Sequence, residues 1–231
     1  MEKEQIDEIL RSHKEWLDTN GKKGKRADFS NEDLSNVDLH GSDLRYASFM
    51  ETDLSNVNFI EADLSNANFH KAILCHASLI EAKLIGAILS NAILRGSDFI
   101  SADLYGADLS HADISNANLC YSNLSNSDFR VANFLGIKIQ YVGLRGALLP
   151  NGIFMIEGAG IRHRCTYYDA INDCVRCGCW NDDNGNHLES FKKRIEDTYG
   201  KNGKTSNQKH YKAYQAAIHY FETCRDEYVD E

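Results

Sequence analysis

The sequence predicts a mainly β fold in which the chain winds into a solenoid, with a helix before it and a small α+β module after it. A large apolar residue recurs at every fifth position from Phe29 to Phe154, and all 26 of these positions hold Leu, Phe or Ile. The residue two places earlier is nearly always small, with Ala at 15 of the 26 places. A period of five fits neither the turn of a helix nor the alternation of a strand.

A chain that turns a corner every five residues explains this period. The large and small apolar residues then point to a common axis, and the other three positions point outward. One inward residue on each short side cannot form a core alone, so successive coils must stack. Roughly six and a half coils at the ~4.8 Å strand spacing make a rod about 30 Å long. Asn and Gly, which tolerate the backbone angles of tight turns, stand at many corners, for instance Asn36, Gly41, Asn56, Asn66, Gly86 and Gly106.

The repeated unit Ala-(Asp/Asn)-Leu-X-X, seen at Ala62–Asn66 and with Ile at Ala112–Asn116, resembles the pentapeptide-repeat family. The resemblance covers about 130 of the 231 residues. It implies a right-handed quadrilateral β-helix with four pentapeptides in each coil, so that residues 20 apart stack in columns. The column from Leu44 to Leu144 contains Leu at every step, which supports this register.

The chain divides into three predicted parts. Residues 1–26 form an N-terminal capping helix over 2–18 and a basic, glycine-rich junction, because the open end of a solenoid exposes backbone and core that need a cover. Residues 27–157 form the solenoid. Residues 158–231 form an α+β module that lacks the repeat.

We expect the C-terminal module to contain a β-hairpin and two helices. Residues 161–180 carry β-prone residues on either side of a turn-like Asn172-Asp173 pair. Helices are predicted over about 187–199 and 208–227. The segment VRCGCW at 175–180, followed by LESFKKRIEDTYG at 188–200 and AYQAAIHYF at 213–221, is similar to a small phage-encoded module of unknown function. This resemblance implies a phage or prophage origin.

The formal net charge of −9 lies in the middle of the chain. Residues 27–157 hold 16 acidic and 7 basic side chains, and both flanks are close to neutral. No apolar run is long enough to span a membrane, and the charged start lacks the pattern of a signal peptide. We therefore expect a cytoplasmic protein that does not bind a membrane.

A cluster of cysteines provides the candidate metal ligands. Cys-x-x-Cys is a proper pair of zinc ligands, but a second pair is missing, and strand alternation would place Cys174 opposite Cys177 and Cys179. Buried thiols in a hairpin are the favoured alternative. The candidates are Cys165, Cys174, Cys177 and Cys179, with His187 nearby.

The sequence predicts no enzyme activity and no cofactor. It contains no phosphate-binding glycine loop, zinc-protease helix or nucleophile elbow. The outward Asp residues repeat evenly and are interpreted as a solvated surface pattern, without the unlike environments that acid–base catalysis requires.

A mid-solenoid group of isoleucines is the predicted partner-binding surface. Some of these residues replace the usual Asp or Asn, and others stand 20 apart and should form one outward column. Contiguous exposed apolar residues indicate a contact surface for a protein partner or a second copy. The alternative is that the isoleucines stack along a β-face and stabilise the solenoid itself. The residues are Ile60, Ile73, Ile80, Ile93 and Ile100.

Two functions are compatible with these features. The first is a non-enzymatic scaffold or protein-binding module. The second follows from the resemblance, because pentapeptide-repeat proteins that confer quinolone resistance mimic duplex DNA and inhibit or protect DNA gyrase. Duplex DNA carries one charge per ~1.7 Å, so −9 over about 30 Å is about half its charge density. Direct nucleic-acid binding is disfavoured, because the rod has no basic patch interleaved with aromatic residues.

Overall fold

A computed structural model describes residues 1–150, 153–156, 166–169, 174–177, 188–199, 211–212, 214–219 and 221–222. The chain divides into two compact units, Met1–Pro150 and Asn151–Glu231. The elements in chain order are helix α1 (Lys3–Asp18), strands β1 (Ile153–Ile156), β2 (Thr166–Asp169) and β3 (Cys174–Cys177), and helix α2 (Leu188–Tyr199).

The first unit is built from coils of 20 residues. The residue before each large apolar residue forms a parallel bridge with the residue 20 positions later, from Asp28 with Ser48 to Asp128 with Leu148. The backbone N–H of Phe29 donates to the carbonyl of Ser48 at 2.9 Å, and the N–H of Ser48 donates to the carbonyl of Ala27 at 3.0 Å. These bridges confirm the 20-residue register. Each bridge joins a single residue of one coil to a single residue of the next, so the coils contain no extended strands. The right-handed sense of the solenoid remains a prediction.

Each coil has four sides of five residues. Position one is the small residue, position two the bridging residue, position three the large residue, and positions four and five face outward. Coil 1 comprises residues 27–46 and coil 6 comprises residues 127–146. Sides 1 to 4 have Phe29, Leu34, Leu39 and Leu44 at position three of coil 1, and each side recurs every 20 residues.

The large side chains at position three form the core. From Phe29 to Phe129, none of them is more than 2% exposed. The rings of Phe29 and Phe49 stack with centroids 5.3 Å apart, and those of Phe49 and Phe69 stack at 4.8 Å. Burial of one such side chain contributes about 1.5–3 kcal/mol. The predicted central column is therefore present.

The corners of the coils lie at position five. All 24 such residues from Asn31 to Gly146 have a positive φ, including each Asn and Gly predicted to stand at a corner. This conformation costs a residue with a Cβ about 1–2 kcal/mol, and Gly and Asn adopt it most readily. The β-branched Val131 also adopts it, with a φ of 64°.

Helix α1 lies against coil 1. His13 is fully buried, and its Nδ1 accepts a hydrogen bond from the N–H of Ala27 at 3.0 Å. The ring of Trp16 stacks with that of His13 and meets Tyr46 edge-on at 6.2 Å. A Cβ on Gly24 would lie 2.1 Å from the carbonyl oxygen of Ser12 in α1, so the junction needs glycine here to approach the helix. The helix therefore covers part of the first coil, and its role as a stabilising cap remains a prediction.

The ladder of bridges ends at Leu148, just before the single proline of the chain. Pro150 has a fixed φ and no N–H to donate, and the first unit ends there. Phe154, the last member of the five-residue series, lies in β1, which pairs antiparallel with β2. The apolar spacing thus continues for one step after the chain has left the coils.

The second unit contains a three-stranded antiparallel sheet in the order β1-β2-β3. Residues 211–212, 214–219 and 221–222 are helical, and the buried ring of Tyr214 meets that of Phe191 in α2 edge-on at 5.9 Å. Lys192 of α2 forms an ion pair with Glu222. Among the described residues, no helix combines the length and the apolar character needed to cross a bilayer.

His13 links the docking of α1 to pH. Burial lowers the pKa of His13 from 6.5, an effect that the carboxylate of Asp43 partly offsets and that the charges of Arg45 and Arg26 reinforce. Protonation would put a hydrogen on Nδ1, which then could not accept the hydrogen bond from Ala27. The folded state therefore resists the protonation that the unfolded chain accepts.

We expect the unfolding free energy to fall as the pH drops below 6.5, because the unfolded chain then binds a proton that buried His13 resists. The melting temperature, measured by circular dichroism, should decline more steeply between pH 7.5 and pH 5 for the native chain than for His13→Asn. The Asn amide oxygen can still accept the hydrogen bond from Ala27 but does not titrate. The eight other histidines are common to both proteins, so equal slopes would contradict the prediction.

Candidate functional site

The acidic residues of the solenoid stabilise its turns. At 16 of the position-two sites, the side-chain oxygen of Asp or Asn accepts a hydrogen bond from the backbone N–H two residues later, as from Ser35 to Asp33 at 2.9 Å. Such turns are a standard use of these two residues. The interpretation as a merely solvated pattern was incomplete, because the fold uses one oxygen of each. The residues are Asp28, Asp33, Asp38, Asp43, Asp53, Asn58, Asp63, Asn68, Asp98, Asp103, Asp108, Asp113, Asn118, Asn123, Asp128 and Asn133.

Hydrogen bonds favour the ionised form of two of these carboxylates, Asp33 and Asp128. The backbone N–H of Ser35 lowers the pKa of Asp33, and the guanidinium of Arg130 lowers the pKa of Asp128. A general acid needs the opposite shift, toward a raised pKa. The two carboxylates are therefore negative charges at neutral pH and are poor proton donors.

Basic side chains break the acidic character of every side. Four of the seven on the solenoid form ion pairs with neighbouring carboxylates, at N···O distances from 2.5 to 3.4 Å. Exposed pairs of this kind contribute about 0–1 kcal/mol each, so their main effect is on the distribution of charge. Each side has both acidic and basic residues, and none presents an unbroken row of carboxylates. The pairs are Arg45–Asp43, Lys71–Glu51, Arg95–Asp113 and Arg130–Asp128.

The pattern of turn hydrogen bonds is interrupted in the middle of the solenoid. Five consecutive position-two sites have neither Asp nor Asn and make no such bond, and they complete a circuit of all four sides. We call them the mid-solenoid belt. Two of its isoleucines are 37% and 41% exposed. The belt consists of Ile73, Ser78, Lys83, Ile88 and Ile93.

The structure places the predicted partner-binding residues on two different sides. Ile60, Ile80 and Ile100 occupy position four of side 3 in consecutive coils and form one partly exposed column. Ile73 and Ile93 occupy position two of side 2, where they bridge each other. The group therefore comprises two neighbouring surfaces rather than a single stripe.

The predicted metal ligands fall largely outside the described residues. Cys174 and Cys177 are the first and last residues of β3, whereas Cys165 and Cys179 are not described. No group of His, Cys, Asp or Glu with a metal-binding arrangement occurs within the part of the chain that the structure describes. The expectation of buried thiols rather than a zinc site in this module therefore stays a prediction.

Sequence reasoning missed an aromatic pair at the corner between sides 3 and 4. The rings of Tyr121 and Tyr141 stack with centroids 5.0 Å apart, and Tyr121 is 57% exposed. Both residues stand at position five, 20 apart. The signal in the sequence is the 20-residue spacing of the two tyrosines within one position-five column.

Comparison with known proteins agrees with this architecture. A family model described as pentapeptide repeats, in eight copies, matches residues 25–59, 52–91, 77–116 and 107–149. These matches together cover more than half of the chain. No curated protein matches it.

Several solved structures are similar to part of the chain. A pentapeptide repeat protein (Rfr23) from the cyanobacterium Cyanothece 51142 is 31% identical over 42% of this chain and 64% of its own length, with a TM-score of 0.35. One from the Arabidopsis thaliana thylakoid lumen is 32% identical over 46% and 70%, with a TM-score of 0.36. QnrB1, a plasmid-mediated fluoroquinolone resistance protein, is 21% identical over 52% and 70%, with a TM-score of 0.30.

The chain thus spans just under two thirds of Rfr23, and all three TM-scores are low. The family assignment rests on the repeat match, together with the 20-residue register of bridges and the buried residues at position three. This chain belongs to the pentapeptide-repeat family.

Proposed function

We propose that this protein is a non-enzymatic scaffold that binds a protein, either a partner or a second copy, through its mid-solenoid isoleucines. The observation that carries the proposal is the mid-solenoid belt. Five successive sides give up the turn hydrogen bond made at 16 other sites, and three of them present Ile instead. A local departure from the rule that stabilises the rest of a fold is expected at functional sites.

The free energies of the lost turn hydrogen bond and of the gained Ile–Ile contact favour a role for these isoleucines outside folding. A hydrogen bond of this type contributes about 0.5–1.5 kcal/mol. A cross-strand pair such as Ile73 with Ile93 contributes about 0.2–1 kcal/mol, so the exchange brings the solenoid little or no stability. Exposed Ile73 and Ile88 leave apolar area in water, which a partner would remove.

Side 3 adds a second apolar surface of regular geometry. Ile60, Ile80 and Ile100 repeat at the coil spacing on a backbone held by hydrogen bonds above and below. Such a surface is rigid before binding, so little conformational entropy is lost when a partner docks. This suits a scaffold.

A DNA mimic that acts on DNA gyrase is the second candidate. The excess of nine negative charges in residues 27–157 favours it. The ion pairs on all but one side and the interruption of acidic residues at the belt weigh against it, because a mimic needs a continuous acidic surface. Scaffolding is therefore the function that the geometry supports better.

Ile73→Asn separates a binding role from a structural one. We expect the unfolding free energy in urea to change by less than about 0.5 kcal/mol, because a regained turn hydrogen bond offsets the lost Ile73–Ile93 contact. As a control, Asp103→Ile removes the hydrogen bonds from the N–H of Tyr105 and from the side-chain amide of Asn123 and should destabilise by about 1–2 kcal/mol. A loss of more than about 1 kcal/mol in Ile73→Asn would show that the pair is structural.

The double variant Ile80→Asp/Ile100→Asp tests the binding surface of side 3. In a pull-down, we expect the variant to capture at least about tenfold less partner than the native chain, because charges replace the centre of the apolar column. The control is Val131→Asp/Leu135→Asp, which changes two apolar side chains that are 66% and 57% exposed and lie away from the belt. Equal capture by both variants would remove side 3 as the surface.

A gyrase supercoiling assay tests the second candidate directly. We expect no inhibition and no protection from quinolones at low micromolar protein, because every side of the solenoid carries basic residues among its carboxylates. Inhibition that weakens as salt rises would instead indicate mimicry.

A further inference from the structure

Side 3 has a composition that the other sides lack. Its position-four column has no charged residue between its ends and contains three consecutive isoleucines followed by a free cysteine. Its position-two column begins with Asp38 in coil 1 and ends with Lys138 in coil 6. Both residues are exposed, and neither forms an ion pair within the described residues. The two ends of this side thus carry opposite, unpaired charges.

We infer that side 3 is the contact face of an antiparallel dimer, with the two-fold axis between coils 3 and 4. The inference rests on the proposed function and specifies its partner as a second copy. An axis that crosses the face at right angles to the rod places each column against itself in reverse order. Coil 1 then faces coil 6 of the second copy, coil 2 faces coil 5, and coil 3 faces coil 4.

The apolar column matches itself in this register. Ile80 faces Ile100 of the second copy twice, once on each side of the axis. Ile60 faces Cys120, a small apolar thiol. The polar residues of the column meet only at the ends of the rod, where His40 faces Gln140.

The charges of position two also match. Asp38 faces Lys138 of the second copy at both ends of the interface, which gives two intermolecular ion pairs. In the middle, Ser78 faces Asp98, so no two like charges meet. The native charge pattern therefore favours the antiparallel register.

One corner of side 3 leaves room for the second copy. At the corner toward side 4, Tyr141 faces Gly41, which has open space where a Cβ would stand. The tyrosine of one copy thus meets no side chain at this end of the other.

The same operation on the other sides brings like charges together. On side 1 it places Asp28 against Asp128, and on side 2 it places Asp53 against Asp113. On side 4 it places Arg45 against Arg145. Like charges directly opposed across an interface disfavour association. The intramolecular ion pairs of Asp128, Asp113 and Arg45 reduce this penalty on the other sides, whereas side 3 has no like-charged pair in this register.

The contact is small, which sets the strength of the association. Side 3 is about 29 Å long over six coils and on the order of 10 Å wide, so each copy buries about 300 Å². Stable dimers bury about 800 Å² per copy. The dimer should therefore form reversibly and only at micromolar or higher concentrations.

Charge reversal tests the register by sedimentation velocity over a concentration series of the full chain. Lys138→Glu should weaken association at least about tenfold, because it opposes Asp38 with a like charge twice per dimer. Asp38→Lys should do the same, and the double variant should return association to within about threefold of the native chain. The matched control is Arg145→Glu, a charge reversal of an exposed residue on side 4 of the same coil, which should leave association unchanged.

Folding is checked separately for each variant by thermal unfolding. Asp38 accepts hydrogen bonds from His40 and Asn58, so Asp38→Lys loses local stability. Lysine is native to position two at Lys83 and Lys138, so the coil accommodates it. Two weakened single variants without restoration in the double variant would overturn the antiparallel register.

Thiol cross-linking provides a second, independent measurement. Ile60→Cys should join to native Cys120 of the second copy through a short bismaleimide that spans the ~10 Å between packed β-faces. The reaction is run at mildly alkaline pH because burial raises the pKa of Cys120. Ile60→Cys/Cys120→Ser should lose this cross-link, and Ser110→Cys, which lies on side 1 at the opposite face of the coil, should not form one with Cys120 of the second copy.

The outcomes separate this inference from the proposed function. A native chain that stays monomeric at all concentrations would overturn the dimer, while capture of a different protein through Ile80 and Ile100 would still stand. Dimerisation that survives Lys138→Glu and Ile80→Asp/Ile100→Asp would show that the copies associate elsewhere.

Discussion

The fixed length of 20 residues per coil is the constraint on which the rest of this solenoid depends. The hydrogen bonds that join Phe29 to Ser48 and Ser48 to Ala27 recur at the same positions of every coil. A single inserted residue would shift all later positions, turning core residues outward and corner residues inward. Because the length never changes from coil 1 to coil 6, each position forms a straight column. The core, the corners and the surface all follow from that alignment.

Each position in the five-residue unit answers to a different physical demand. Packing selects positions one and three, the left-handed corner selects position five, and the turn hydrogen bond selects position two. That bond needs only an oxygen, which Asn58 supplies as well as Asp63 does. The negative charge of the solenoid is therefore not required by its fold. It must be explained by solubility or recognition, and position four is the one left freest for either.

The sequence predicted the parts of the structure that repeat and missed those that occur once. The register and the central column follow from local spacing, because the same packing demand acts in every coil. Two features each depend on a tertiary contact that occurs once and leaves no periodic signal in the sequence. They are the burial of His13 against Ala27 and the requirement for glycine at Gly24. The departure of the chain after Pro150 was hidden because Phe154 keeps the spacing while pairing in another sheet. The turn role of Asp was missed because solvation explained the same pattern.

The regularity of a repeating surface leaves the register between two associated rods undefined. Ile60, Ile80 and Ile100 are equivalent, so an apolar column alone would allow two rods to slide past each other by one coil, about 4.8 Å, with little change in energy. A defined assembly needs residues that break this equivalence. On side 3, Asp38 and Lys138 do so, because a slip of one coil in either direction separates both of them from their opposite charges. Apolar repeats thus supply affinity, and the unique residues at the ends supply register.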